Sequence, residues 1–194
     1  MVGKFKLDKQ MLKPSEDWKW NFKESLKCLV LETETTDIKT SLLKRNLTVE
    51  AFSDSEFTIE DAAVLHSFQE YLLPIKLEEE SMDMIALNCT AAVRFFKPVL
   101  PKSWFFDYSQ GESDGELPVG QVIKLKNELN TAQFMVVDSS EQASLVVMID
   151  PLPFLLTSSK SMNTGEIIKV MNDRVQSIVT IEEQRDVHSH KIAS

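Results

Sequence analysis

Residues 94–106 read RFFKPVLPKSWFF: three cations, two prolines and five aromatics, with no acid among them. How this stretch is read decides the fold. Upstream of it apolar residues recur at helical spacing, and downstream they alternate as strands do. Pro98 and Pro101 stand where one pattern gives way to the other, and proline ends a helix because it lacks an N–H and fixes its φ. We therefore expect an N-terminal half at residues 13–98 and a C-terminal half at 99–182, with a polar extension at 1–12 and a polar tail at 183–194. The segment itself admits two readings. It is a helix end running into a stiffened linker, with Phe95, Phe96 and Trp104 in the core, or it is an exposed docking surface for an acidic partner.

Charge gives that second reading its interest. The chain carries a formal net charge of −9, distributed unevenly. Residues 1–27 hold seven lysines against four acids, residues 28–90 hold four cations against thirteen acids, and residues 91–106 return to three cations and no acid. Salt screens charges over about 8 Å at physiological ionic strength, so a local positive patch attracts an anion whatever the whole molecule carries. The acidic total argues against broad nucleic-acid binding, which needs a clustered positive surface. No run approaches the ~18 apolar residues of a membrane span, and MVGKFKLDKQ lacks the apolar core of a signal peptide. The chain's 194 residues suffice for a core without disulfides, so Cys28 and Cys89 are expected as reduced, buried thiols.

The N-terminal half opens with DWKWNF, where Trp18, Trp20 and Phe22 alternate with polar neighbours as on a half-buried strand. LKCLVLET (26–33) and DIKTSLLK (37–44) continue an antiparallel meander. Thr58 is the expected N-cap of a first helix, with Glu60 and Asp61 in its first turn and Ala62, Leu65, Phe68 and Leu72 on its inner face until Pro74. A second helix follows, acidic at its start and basic at its end, with Met82, Ile85, Cys89, Ala92 and Phe96 as its stripe. Arg94 and Lys97 near its last turn are positioned to satisfy its carbonyls.

Strands dominate beyond the prolines. LPVGQVIKLK alternates, QFMVVDSSEQASLVVMID forms two β-rich runs about a polar turn, FLLTSSKSM is one further strand and SIVTI a last one. NTGEIIKVMNDRV reads as a short helix, with Ile168 and Met171 or Val175 on one side. The fold class is thus α+β, a small antiparallel sheet with two helices followed by a twisted β half, a small barrel-like domain or a sandwich.

No catalytic constellation emerges. There is no phosphate loop or dinucleotide fingerprint, and NTGEIIK lacks the length and lysine position of one. His66 reads as a rim residue, and His188 and His190 form an HSH pair in a polar tail without metal-site spacing. We expect no catalytic residue, no metal and no cofactor; the chain reads as a binding protein.

Taken in order, LKPSEDWKW, LTVEAFSDSEFTIEDAAVLHSFQE, VRFFKPVLPKSWFF and IIKVMNDRV resemble the Z-ring-associated cell-division protein ZapC family, over residues 12–175. Family members start at the residue matching Met11. The resemblance implies a cytoplasmic bacterial protein, recruited to the midcell division ring as a monomer. Its implied partner is FtsZ, the tubulin-like GTPase, whose polymers it stabilises and bundles while GTP turnover slows indirectly. It also implies a C-terminal pocket, apolar at its centre and ringed by Lys97, Lys102 and Arg174, and an N-terminal pocket for which Leu31 or its neighbour Leu29 is the candidate. Neither nucleic acid nor membrane is an implied partner. The rival reading of the same aromatic and basic residues is a β-barrel module for a small ligand or single-stranded RNA, since bases stack on aromatics beside cations.

Overall fold

The structure, a computed structural model, describes residues 11–109 and 115–178. Residues 1–10, part of the GESDGE loop, and the tail with its HSH pair lie outside them. The meander forms as β1 (Lys19–Lys23), β2 (Cys28–Glu32) and β3 (Asp37–Leu43), antiparallel, with Trp20 opposite Leu31 and Phe22 opposite Leu29. A two-residue strand, β4 (Ser55–Glu56), pairs on the other side of β1, giving the order β3-β2-β1-β4.

Helix α1 (Ile59–Leu72) starts at Thr58, whose hydroxyl accepts the Asp61 N–H at 3.2 Å while the Asp61 carboxylate accepts the Thr58 N–H at 3.0 Å. Asp61 does more than favour the helix dipole. It is buried, and its Oδ2 also accepts Trp20 Nε1–H at 3.0 Å and pairs with Arg94 in the last turn of α2 (Glu79–Phe95). Arg94 further donates to the Glu56 carbonyl at 2.9 Å, so the first cation of the 94–106 stretch ties β4, α1 and α2 together instead of capping its own helix. Helix α2 is buried around most of its circumference: Met82, Ile85, Cys89 and Ala92 as expected, and Leu87, Asn88 and Ala91 as well. Phe96 falls just past the helix and is half-buried.

The reason lies in the C-terminal half. Strands β5 (Val122–Lys126), β6 (Thr131–Ser139) and β7 (Ala143–Met148) form an antiparallel sheet with β10 (Ile167–Met171) and the short β11 (Ser177–Ile178), in the order β10-β7-β6-β5-β11. Both faces of this sheet are covered. Val122, Met135, Val137, Leu145 and Val147 join one core with α1, α2 and the N-terminal sheet. Ile123, Phe134, Val136, Val146 and Val170 face a second core with Phe106, Phe154 and Met162. Double coverage explains why β6 and β7 read as nearly continuous apolar runs.

The α+β class holds, and the C-terminal sheet does not close on itself: among the described residues β10 and β11 are its edges, and the second face is covered by a separate hairpin, β8 (Phe154–Thr157) with β9 (Lys160–Met162). Two expectations need correction. FLLTSSKSM is therefore two strands, not one. IIKVM is strand β10, not a helix, because Ile168 and Val170 alternate into the second core while its backbone pairs with β7.

Two glycines fix where the halves touch. Gly165, at φ +81°, begins the turn into β10, and a Cβ there would fall 2.5 Å from Met84 Sδ and 2.7 Å from Asn88 Nδ2. Gly120, at φ +82°, would place one 2.5 Å from the Tyr71 ring of α1. Asn88 is fully buried at the first contact: its Oδ1 accepts the Ser41 N–H of β3 at 2.8 Å and its Nδ2 donates to the Gly165 carbonyl at 3.0 Å. Ser41 Oγ donates to the same carbonyl at 2.9 Å. NTGE is thus a docking turn between halves.

Asn88→Ala removes both amide bonds and leaves the half-buried Ser41 N–H without its acceptor, so urea unfolding should show a loss of about 2 kcal/mol, with Gly165→Ala similar through strain and contact. Wild-type stability in either variant would remove the joint from the account. Cys28 and Cys89 are free and buried, and burial pushes both thiols above their ordinary pKa. Thiol reagents should therefore label the native protein only at its unfolding rate; prompt labelling would contradict their placement.

Candidate functional site

After α2 the chain does not cross open space. Lys97 N–H donates to Asn46 O at 2.9 Å, Lys102 N–H to Lys169 O at 2.8 Å, and Met171 N–H to Ser103 Oγ at 2.8 Å. The linker thus meets the edge strand β10 at Lys102 and Ser103, where backbone groups would otherwise be unpaired, and then reaches the end of β5, where Asp107 N–H donates to Lys126 O at 2.8 Å. Pro98 and Pro101 have no N–H to offer a ladder, and the contacts come before and after them, at Lys97, Lys102 and Ser103.

This path divides the aromatic residues of the stretch. Phe95 and Phe106 are core, at 1% and 4% exposure, whereas Trp104 stands 70% exposed, flanked by Leu100 and Tyr108, also largely in solvent. Of the three aromatics expected in the core, Phe95 is buried, Phe96 half-buried and Trp104 exposed. The helix end is core and the linker is surface.

Two concavities flank the linker. A groove of about 640 Å³ opens between α1, α2 and β6, floored by Phe68, Ala92 and Val137, with Tyr71, Val93 and Val99 on its walls and Lys97 and Lys169 as its cations. A shallower depression of about 780 Å³ is lined by Leu100, Trp104, Tyr108, Met171 and Arg174. Lys97, Lys102 and Arg174 thus do not ring one hollow: Lys97 lines the groove, Arg174 the depression, and Lys102 neither. Arg174 is also no free rim charge. Its side chain is 12% exposed, its Nε lies 3.0 Å from Asp173, its Nη1 donates to Phe106 O at 3.3 Å, and its guanidinium stacks 3.3 Å from the Tyr108 ring centroid. It fixes the linker's end. Leu29 and Leu31 lie at 0% exposure in the first core, lining neither concavity.

Three cations join Lys97 and Lys102 that the sequence did not nominate. Lys169 shares the groove with Lys97, Lys160 lies 5.0 Å from the Phe105 ring centroid, and Arg45 comes from the 3-10 turn Lys44–Asn46 that receives Lys97. Burial, then the charges of Lys160 and Arg45, push the pKa of Lys102 below the ordinary lysine value. Lys160 and Arg45 therefore stand near enough to Lys102 for their charges to oppose its own, with Asp138 in the groove and Asp107 in the depression as neighbouring acids.

The matches to known proteins meet at this same linker. The model of the cell-division protein ZapC N-terminal region matches residues 11–97, and that of its C-terminal region residues 98–180. The chain belongs to the ZapC family. Among relatives named cell division protein ZapC, one from Vibrio cholerae is 39% identical over 88% of this chain and 94% of its own length. Another from Vibrio vulnificus is 41% identical over 86% and 92%, and one from Shewanella woodyi 36% over 87% and 92%. Membership in the ZapC family makes this a cell-division protein. Among the described residues no helix is long and apolar enough to cross a membrane.

Trp18 and Trp20 are 4% and 0% exposed, so Trp104 should dominate collisional quenching of the native protein's fluorescence. A local positive field concentrates anions: iodide should quench more than caesium at low salt, and Lys102→Glu should shrink the difference. Equal quenching by both ions in the wild type would contradict the charge assignment.

Proposed function

We propose that this ZapC-family protein binds assembled FtsZ through the linker face, stabilising the polymer at the midcell ring and favouring lateral bundling. What carries the reading is an apolar, cation-rich surface on a cell-division protein whose net charge is −9. A negative protein meeting a negative filament is repelled at long range, so contact needs a local reversal of sign, which the linker face supplies beside exposed apolar anchors. No chemistry is required. A ligand that prefers assembled subunits to free ones stabilises the polymer by mass action, and slower GTP turnover follows from slower subunit exchange. Bundling additionally needs two contacts per molecule or self-association.

Within this reading Lys97, Lys102 and Trp104 touch the partner, Arg174 shapes the surface, and Leu29 and Leu31 support the fold from beneath. Lys97→Glu, Lys102→Glu and Trp104→Ala should each weaken co-sedimentation with GTP-assembled FtsZ by about 2 kcal/mol, with unchanged unfolding midpoints. Arg174→Glu should lower both binding and stability, since it removes the Tyr108 stack as well as a charge. Raising salt from about 50 to about 300 mM should weaken wild-type pelleting. If the first three variants pellet as wild type does, the linker face is not the FtsZ site.

A further inference from the structure

A third concavity, of about 1450 Å³, shares no lining residue with the two beside the linker. It lies between the start of the edge strand β3, at Thr36 and Ile38, and the start of α2 with the segment leading into it. Ile38, Leu77 and Met84 are half-buried and give it an apolar surface. The chain itself enters the structure here. Leu12 lines the concavity, its N–H donates to Asp83 Oδ2 at 3.0 Å, and its carbonyl accepts from Gln69 Nε2 at 3.1 Å. Gln69 also donates to Asp83 Oδ1 at 3.1 Å, so amide and carboxylate fix one another as well as the peptide. The ten residues before Met11 are thus tethered at this groove.

Their sequence fits it. Residues 4–7 read Lys-Phe-Lys-Leu, and an extended backbone puts Phe5 and Leu7 on one side, Lys4 and Lys6 on the other. The groove offers Glu78, Glu79, Glu80 and Asp83 beside its apolar surface, against one lining cation, Lys76. The helix dipole accounts for acids at the start of α2. It does not account for a leucine and a methionine left partly open beside them. From Leu7 to Leu12 is five residues, a reach of at most about 18 Å when extended. So short a tether gives an effective concentration in the millimolar range, and a segment of only millimolar affinity as a free peptide is then about half docked.

We infer that residues 4–7 occupy this groove of their own chain, with Phe5 and Leu7 against Ile38, Leu77 and Met84, and Lys4 and Lys6 among the acids at the start of α2. The groove is a site for an extended segment bearing lysines and apolar side chains, and the chain supplies one in cis. Docked, the segment covers the first turn of α2 and lowers the negative potential there. A basic segment of another protein reaches the site only by displacing it. The inference stands apart from the FtsZ reading, because it concerns the opposite sign of charge on a separate set of residues.

The test uses the full chain. An equal mixture of isotope-labelled and unlabelled protein is treated with a carbodiimide, which joins amines to carboxylates in contact, and the products are read by mass spectrometry. The expected products link Lys4 or Lys6 to Glu78, Glu79 or Glu80 within one isotopic species. Trypsin gives a second reading, since cleavage tracks the population of the open form. Cleavage after Lys9 should be about tenfold faster in Phe5→Ser with Leu7→Ser, and in Glu78→Gln with Glu79→Gln, than in wild type. Glu78 and Glu79 are exposed, and Glu78 caps α2 without a side-chain bond, so the fold does not depend on them. Glu128→Gln with Glu141→Gln, exposed acids outside the groove, should leave the rate unchanged. Links between labelled and unlabelled chains would assign the occupant to a second copy. Links from Lys4 and Lys6 only to other carboxylates, or none at all, would place the segment elsewhere, and equal trypsin rates in all four proteins would leave the groove without it. Each of these results overturns the inference.

Discussion

A single buried amide shows how the molecule is held together. Asn88 sits at the middle of α2 and binds the edge strand of one sheet with its oxygen and a turn from the other half with its nitrogen. An unsatisfied amide in that position is expensive, so the three segments hold one another in a fixed relation. Around it, α2 presents apolar residues both to α1 and to the C-terminal sheet, and residues 122–149 enter the same core as residues 18–96. The two family models divide at residue 97, yet the hydrophobic core does not divide there.

That shared core is what lets a linker become a surface. Residues 97–109 are pinned by Asn46 at one end and by Lys169, Met171 and Asp173 further on. With the backbone so fixed, Leu100, Trp104 and Tyr108 stand exposed without the entropy loss that ordering a free loop on binding would impose. Asp61 plays the matching role at the start of α1, drawing Arg94 inward and leaving Lys97 and Lys102 as the linker's outward charges. One stretch of thirteen residues so supplies core at Phe95 and Phe106, fold-holding charge at Arg94, and contact surface elsewhere.

Local pattern made much of this legible. The alternation of Trp20 and Phe22 in β1, the Thr58 cap, the α2 stripe and the β6–β7 hairpin are each carried by neighbours in sequence, and each is present. Residues 163–175 were ambiguous because Ile168, Met171 and Val175 fit helical spacing while Ile168 and Val170 fit alternation. Only pairing with β7, twenty residues away, decides between them. Barrel and sandwich stayed open for a related reason, since strand count alone does not say whether the last strand meets the first or a hairpin covers the face. The cation cluster was the least legible feature. Arg45 lies inside the most acidic segment of the chain, and Lys160 and Lys169 in stretches with nothing basic about them, so their convergence is a property of topology. Arg174 was visible as a charge, but its stack on Tyr108, which makes it a strut, depends on the linker's path.

The central claim is that both halves jointly present one positive, apolar face to an acidic polymer. Hydrogen exchange of the protein with and without GTP-assembled FtsZ tests it in one measurement. The account predicts added protection in the 3-10 turn at residues 44–46, in the linker at 97–109 and in β9, with no change at the acidic start of α2 near residues 79–83. Protection confined to one half, or centred on that acidic helix start, would contradict it.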